Sequence, residues 1–60
     1  MKSRYFVYGW LNGCDHDAGR PADKVVKVTA SCPSRAEDLG DKKLEKEIGR
    51  CDVVIAEIGL

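Results

Sequence analysis

The stretch Tyr5-Phe6-Val7-Tyr8-Gly9-Trp10-Leu11 decides the fold, because it contains all four aromatic residues of the 60-residue chain. Side chains alternate across a β-strand, so this stretch presents two apolar faces. One face carries Tyr5, Val7 and Leu11, and the other carries Phe6, Tyr8 and Trp10. The rest of the chain supplies only one helix of useful length. We therefore expect one face of the sheet to be left for a loop or for another molecule.

Length and composition predict one small domain over residues 1–60. A chain of this size buries only about 60% of the surface that it exposes when unfolded, so its single core must be complete. The hydrophobic fraction of 43% and the charged fraction of 33% are typical of a folded domain with a well-solvated surface. Ten basic and ten acidic residues cancel. A neutral chain has no overall field that attracts nucleic acid or an anionic membrane, so charge-driven binding would need local clusters.

The sequence predicts a cytoplasmic protein with no membrane contact. No apolar run approaches the roughly 20 residues that cross a bilayer, and residues 1–4 do not read as a secretory leader. The cysteines, Cys14, Cys32 and Cys51, are odd in number and widely spaced. Small secreted scaffolds usually carry an even, dense set, so we expect free thiols.

The first half of the chain reads as two strands and a long loop. Residues 2–11 form the first strand, and Asn12-Gly13 predicts a turn with positive φ. Residues 14–23 show no periodicity and are interpreted as a loop, which is long enough to be functional or to fold over as a cap. Residues 24–32 alternate as a strand with one buried face and one wet face.

The second half reads as a helix and a strand. Pro33 ends the second strand, and Ser34 and Glu37 have the spacing of a capping box at the start of a helix. The predicted apolar stripe contains Ala36, Gly40, Leu44 and Ile48. At Gly40 we favour a continuous helix in close contact with the sheet over a break that restarts with Asp41 as a cap. Gly49 ends the helix, and residues 51–60 form a third strand that is apolar enough for the middle of the sheet.

The predicted fold class is therefore α+β, with the order β-β-α-β. The first two strands run antiparallel, and a right-handed crossover through the helix joins two parallel strands. This order predicts a three-stranded mixed sheet with one helix packed on one face.

The sequence predicts no catalytic, cofactor or metal site, and thus no enzyme. Cys14-Asp15-His16-Asp17 gathers a thiol, an imidazole and two carboxylates, but zinc ligands usually follow C-x-x-C or H-x-x-x-H spacing. Glycine-rich phosphate loops and a G-x-S-x-G elbow are absent. The carboxylate pairs of the predicted helix read as a charged solvent face.

One local likeness involves the aromatic stretch itself. Residues 5–11 resemble the opening strand of the gamma-glutamylcyclotransferase-like family, in which an aromatic-valine-tyrosine-glycine run precedes a small hydroxyl residue and leucine. The likeness covers about a ninth of the chain. Trp10 stands where that family keeps the small residue of its substrate loop, and no site residue is transferred.

These features favour a small non-enzymatic protein that docks on a larger complex. Buried aromatic side chains dominate interface energetics, so Phe6, Tyr8 and Trp10 are the expected anchors. Carboxylates spaced along a surface can stand in for phosphates, which would suit an inhibitor that occupies a nucleic-acid channel, such as a phage-encoded inhibitor of anti-CRISPR type. The expected acidic rim consists of Asp15, Asp17, Asp23, Glu37, Asp38 and Asp41.

Two alternatives remain. In the first, the aromatic face is the seam of a homodimer, because small domains often complete their cores by association. In the second, the protein binds nucleic acid through a basic patch, provided that the second strand and the late helix lie side by side with an exposed aromatic ring. That patch would contain Lys24, Lys27, Lys42, Lys43, Lys46 and Arg50. The zero net charge disfavours this last alternative.

Overall fold

The computed structural model describes residues 1–59 and contains three strands and two helices. In chain order the elements are β1 (Ser3–Trp10), α1 (Gly13–Asp17), β2 (Lys24–Ala30), α2 (Pro33–Glu47) and β3 (Val53–Ile58). The predicted third strand included Leu60, which lies outside the described residues. The α+β class and the β-β-α-β order of the main elements are confirmed.

The sheet has the order β2-β1-β3, and both pairings are antiparallel. The prediction of a mixed sheet is therefore wrong, and so is the central place predicted for the third strand. The crossover through α2 does leave β2 and β3 parallel, but it carries the chain across β1 instead of placing the two strands side by side. β1 takes the centre although β3 also carries apolar side chains on both faces; β1 is the longer strand, with 8 residues against 6 in β3.

The first short helix corrects two predictions about residues 12–23. Asn12 does not form a positive-φ turn with Gly13; its φ is −118°, and its side chain accepts a hydrogen bond from the backbone N–H of Cys14 at 3.0 Å. Gly13 donates its own N–H to the Asp52 carboxylate at 3.1 Å. Asn12 is therefore a helix N-cap, and a single helical turn occupies the start of the predicted loop.

The long helix is continuous through Gly40, as predicted, but it begins differently. Cys32 is its N-cap and makes no side-chain capping bond, and Pro33 lies inside the first turn. The predicted capping box of Ser34 and Glu37 is wrong. Proline fits the first helical position because its missing N–H is not needed there and its φ is already helical. Gly49, with φ of +98°, ends the helix as predicted.

The core lies between α2 and one face of the sheet. Its buried residues are Tyr5, Val7, Val26, Val28, Ala30, Ala36 and Leu44. Gly40 lies so close to Val7 that an added methyl group would overlap the valine side chain. The small residues Ala36 and Gly40 on α2 thus let the helix approach β1 closely. Within residues 1–59, no long helix packs on the other face of the sheet.

Candidate functional site

The sheet face opposite α2 is the candidate site, and we call it the open face. Its members alternate with the core residues and follow from the strand register. They are Arg4, Phe6, Tyr8 and Trp10 of β1, Val25, Lys27 and Thr29 of β2, and Val53, Ile55 and Glu57 of β3. Four side chains of this face are charged or carry a hydroxyl beside the aromatic row, so the face is amphipathic and not a simple apolar patch.

The three aromatic side chains form a row along the central strand. Phe6, Tyr8 and Trp10 are each half-buried, whereas Tyr5 and Val7 on the other face are buried. The rings of Tyr8 and Trp10 lie 6.4 Å apart between centroids. Exposed Ile55, 38% accessible, lies opposite Tyr8 on β3. The predicted anchors therefore share one accessible surface.

Trp10 is partly covered by the segment that follows β1. Its indole N–H donates to the carbonyl oxygen of Arg20 at 2.9 Å, and His16 of α1 contacts the ring edge-on with centroids 4.9 Å apart. Residues 14–23 thus fold over the Trp10 end of the aromatic row, which is the capping role predicted for this segment as one of two alternatives. Phe6 and Tyr8 are the more available rings.

At its other end, the row borders a cationic depression. The ammonium group of Lys27 lies 5.8 Å from the centroid of the Phe6 ring, within the range of a cation–π contact. A cavity of about 290 Å³ opens beside this ring. Its lining consists of Arg4, Tyr5, Phe6, Lys27, Val28, Thr29, Lys43 and Gly59. Three cations and an aromatic ring in one small cavity suit a ligand that carries both negative charge and a flat group.

The cations continue along the outer edge of β2. Lys43 of α2 donates to the carbonyl oxygen of Lys27 at 3.1 Å, so the helix and the strand edge lie side by side. A second depression on this edge is lined by Lys24, Val25, Val26, Lys27, Lys43, Lys46 and Glu47. We call Lys24, Lys27, Lys43 and Lys46 the basic edge. The second strand and the end of the helix lie side by side, as the basic-patch alternative requires, but Lys42 and Arg50 of that predicted patch do not line this depression.

The six carboxylates of the expected rim do not form one surface around the aromatic row. Asp15 and Asp17 lie on α1, close to Trp10, and Asp15 pairs with Arg20 at 4.0 Å. Asp23 accepts a hydrogen bond from the backbone N–H of Leu11 at 2.8 Å, so it has a structural role. Glu37, Asp38 and Asp41 belong to α2, which packs on the opposite face of the sheet.

The surroundings of the Tyr8 hydroxyl and of the Cys51 thiol raise the pKa of each group. Hydrogen bonding toward the Glu57 carboxylate, then desolvation and the charge of Glu57, raise the pKa of the Tyr8 hydroxyl. Desolvation and the charges of Asp41, Asp23 and Asp52 raise the pKa of the Cys51 thiol. Asp23 and Asp52 accept hydrogen bonds from the backbone N–H groups of Leu11 and Gly13, so both lie at the Trp10 end of β1, away from the cavity at Phe6.

The cysteines are free in the structure, as predicted. Hydrogen bonding with the Ser34 hydroxyl, 3.3 Å from the sulfur, and with the backbone amide of Arg35 lowers the pKa of the Cys32 thiol. Residues 1–59 contain no group of three or more side chains placed to hold a metal ion. The Cys14–Asp17 cluster offers instead a 3.6 Å contact of His16 with Asp17 and the edge contact of His16 with Trp10.

Comparison with known proteins adds no constraint on the site. No protein-family model, curated protein or solved structure matches the chain. Over residues 1–59, neither helix has the length and apolar character needed to span a membrane.

The sequence predicted the aromatic row and, as one alternative, the lysines of the basic edge, but not the position of these lysines relative to Phe6. The wet face of the second strand, with Lys27 and Thr29, was predicted from its alternation. Its place beside Phe6 could not be predicted, because the pairing of Phe6 with Lys27 and with Glu57 depends on strand register.

Proposed function

We propose that the protein is a small non-enzymatic binding module that docks on a larger macromolecular complex through the open face. The observation that carries this proposal is the half-exposed row of Phe6, Tyr8 and Trp10 on a sheet whose long helix covers the other side. Aromatic rings held on a rigid strand lose little conformational entropy on binding, which makes them effective anchors.

The expected acidic rim receives less support from the geometry than the aromatic row. Its carboxylates are divided between α1, the start of β2 and the far helix, and Asp15 and Asp23 already have intramolecular partners. An inhibitor of anti-CRISPR type stays a prediction from the class of short chains without catalytic motifs, and no contact in the molecule is specific to it.

Retrieval of partners from the cells in which the protein is made tests the docking surface. The tagged wild type is compared with a Tyr8→Thr, Ile55→Thr variant, in which threonine keeps a β-forming residue at two accessible positions. We expect this variant to lose the partners that the wild type retains. The matched control changes the α2 carboxylates, as Glu37→Gln, Asp38→Asn and Asp41→Asn, and should retain them.

The reverse pattern would overturn the proposal. Partners that survive the open-face changes and disappear in the α2 control would place docking on the helix. A third variant, Asp15→Asn, Asp17→Asn and Asp23→Asn, tests whether the acidic rim contacts the partner. If it does, this variant should bind the partner more weakly, and its affinity should depend less on salt concentration.

A further inference from the structure

We propose that the Phe6 end of the open face binds single-stranded nucleic acid, with a base against the Phe6 ring and phosphates along the basic edge. This inference deepens the proposed function and depends on the open face being the docking surface. It names the chemical class of the partner component that this face contacts.

The cavity beside Phe6 brings an aromatic ring together with three cations that have no ion-pair partner among residues 1–59. The ion pairs among the described residues join His16 to Asp17 and Asp15 to Arg20. Arg4, Lys27 and Lys43 therefore line the cavity beside Phe6 without a carboxylate from residues 1–59 at ion-pair distance. Phosphates would supply the missing counter-charges, and a base would supply the flat group for the ring.

The charges on the two sides of the aromatic row differ: the β2 side is basic, and the β3 side carries a carboxylate. In the strand register, Phe6 has Lys27 on its β2 side and Glu57 on its β3 side. The other basic-edge lysines, Lys24, Lys43 and Lys46, also lie on the β2 side. This arrangement fixes the path of a polyanion: its phosphates would follow β2, and its bases would turn inward over β1.

The exposed rings favour single-stranded nucleic acid over a duplex or an acidic peptide as the ligand of the open face. Rings on a sheet surface need bases that are free to leave their own stack, which a duplex does not offer. An acidic peptide without aromatic residues, such as polyglutamate, would satisfy the cations but would bring no flat group to Phe6 and Tyr8. The zero net charge of the chain is a sum over all residues, whereas the depression at the basic edge is lined by four lysines and one carboxylate, that of Glu47.

Fluorescence anisotropy with a labelled oligothymidine strand at low salt tests the inference. We expect the wild type to bind this strand more tightly than a duplex of equal length or a polyglutamate peptide. Phe6→Leu keeps an apolar side chain but removes the ring, and should weaken binding roughly 5- to 150-fold. Glu57→Gln removes the one carboxylate of the open face and should strengthen it.

Substitution of two exposed cations, Lys27 and Arg50, tests whether the basic edge contacts phosphates. Lys27→Gln should reduce the slope of log affinity against log salt by about 0.7, the value for one phosphate contact with a single strand. Arg50→Gln removes the same charge outside the open face and the basic edge, and should change the affinity by less than about twofold. Because Lys27 is exposed, its replacement keeps the test valid if Phe6→Leu does not fold.

Absence of oligothymidine binding at low salt would overturn the inference, as would equal binding of the duplex or of polyglutamate. Binding that neither Phe6→Leu nor Lys27→Gln alters would also overturn it. Nuclease treatment of the retrieved partners distinguishes the two proposals. Partners that resist nuclease and still require Tyr8 and Ile55 would leave the docking function standing without nucleic acid.

Discussion

At the residue scale, the cysteines on either side of α2 differ in acidity because their surroundings differ. Cys32 stands at the start of the helix, where the Ser34 hydroxyl and the Arg35 amide lower the pKa of its thiol. Cys51 is half-buried beside the core, where desolvation and three carboxylates raise the pKa of its thiol. The same side chain is thus a better nucleophile in one place than in the other, since the thiolate is the reactive form.

We expect iodoacetamide to modify Cys32 faster than Cys51 in the folded protein at neutral pH. The pH at which the rate is half-maximal should lie lower for Cys32, because its folded pKa is lowered and that of Cys51 is raised. Mass spectrometry of the digested protein measures both sites in one sample. Ser34→Ala removes the principal cause of the lowered pKa and should slow modification of Cys32, whereas Ser3→Ala should not. Equal rates at the two sites in the wild type would contradict this account.

At the element scale, the packing of α2 on β1 depends on small residues along one helical stripe. Ala36 and Leu44 are fully buried, and Gly40 between them faces Val7 with no room for a methyl group. A glycine inside a helix costs about 1 kcal/mol relative to alanine. The close approach of helix and sheet offsets this cost, because it lets Val7 and Leu44 pack at the density of a protein interior.

We therefore expect Gly40→Ala to destabilise the protein by about 1–3 kcal/mol through overpacking. Helix propensity alone predicts a change of opposite sign, a stabilisation of about 1 kcal/mol. Urea unfolding followed by circular dichroism measures the free energy of unfolding. Lys42→Ala, at an exposed position of the same helix, serves as the control and should stay within about 0.5 kcal/mol of the wild type. A stabilised Gly40→Ala variant would show that the helix stands further from β1.

At the scale of the whole molecule, association of two copies competes with binding of another partner on the open face. The cores of homodimer interfaces are depleted of charged residues. Arg4, Lys27 and Glu57 lie on the open face, so a second copy placed there would have to desolvate these charges. The presence of these charges favours a hydrated, charged ligand over an apolar homodimer interface.

We accordingly expect a monomer of 6.6 kDa at micromolar concentration. Light scattering coupled to size-exclusion chromatography gives the mass directly. A dimer of twice this mass that Ile55→Asp dissociates would instead favour the homodimer alternative. A dimer that persists in Ile55→Asp would place the contact elsewhere, since Ile55 is an accessible residue of the open face.

The sequence by itself determined the three strands, the long helix and the surplus of apolar strand surface. These follow from local periodicity: residues 5–11 alternate with apolar side chains on both faces, and Ala36, Gly40 and Leu44 recur at helical spacing. The local signals failed at Asn12, which caps α1 instead of forming a tight turn, and at Ser34 and Glu37, whose capping-box spacing goes unused because Cys32 is the N-cap.

Only the tertiary structure decided which strand is central, and with it the composition of the candidate site. Strand order and register arise from contacts between residues far apart in the chain, and no local pattern encodes them. The pairing that puts Lys27 and Glu57 on either side of Phe6 is such a contact. The gathering of lysines from β2 and α2 into one edge is another. Net charge is a sum over the chain, whereas binding depends on where the fold places each charge.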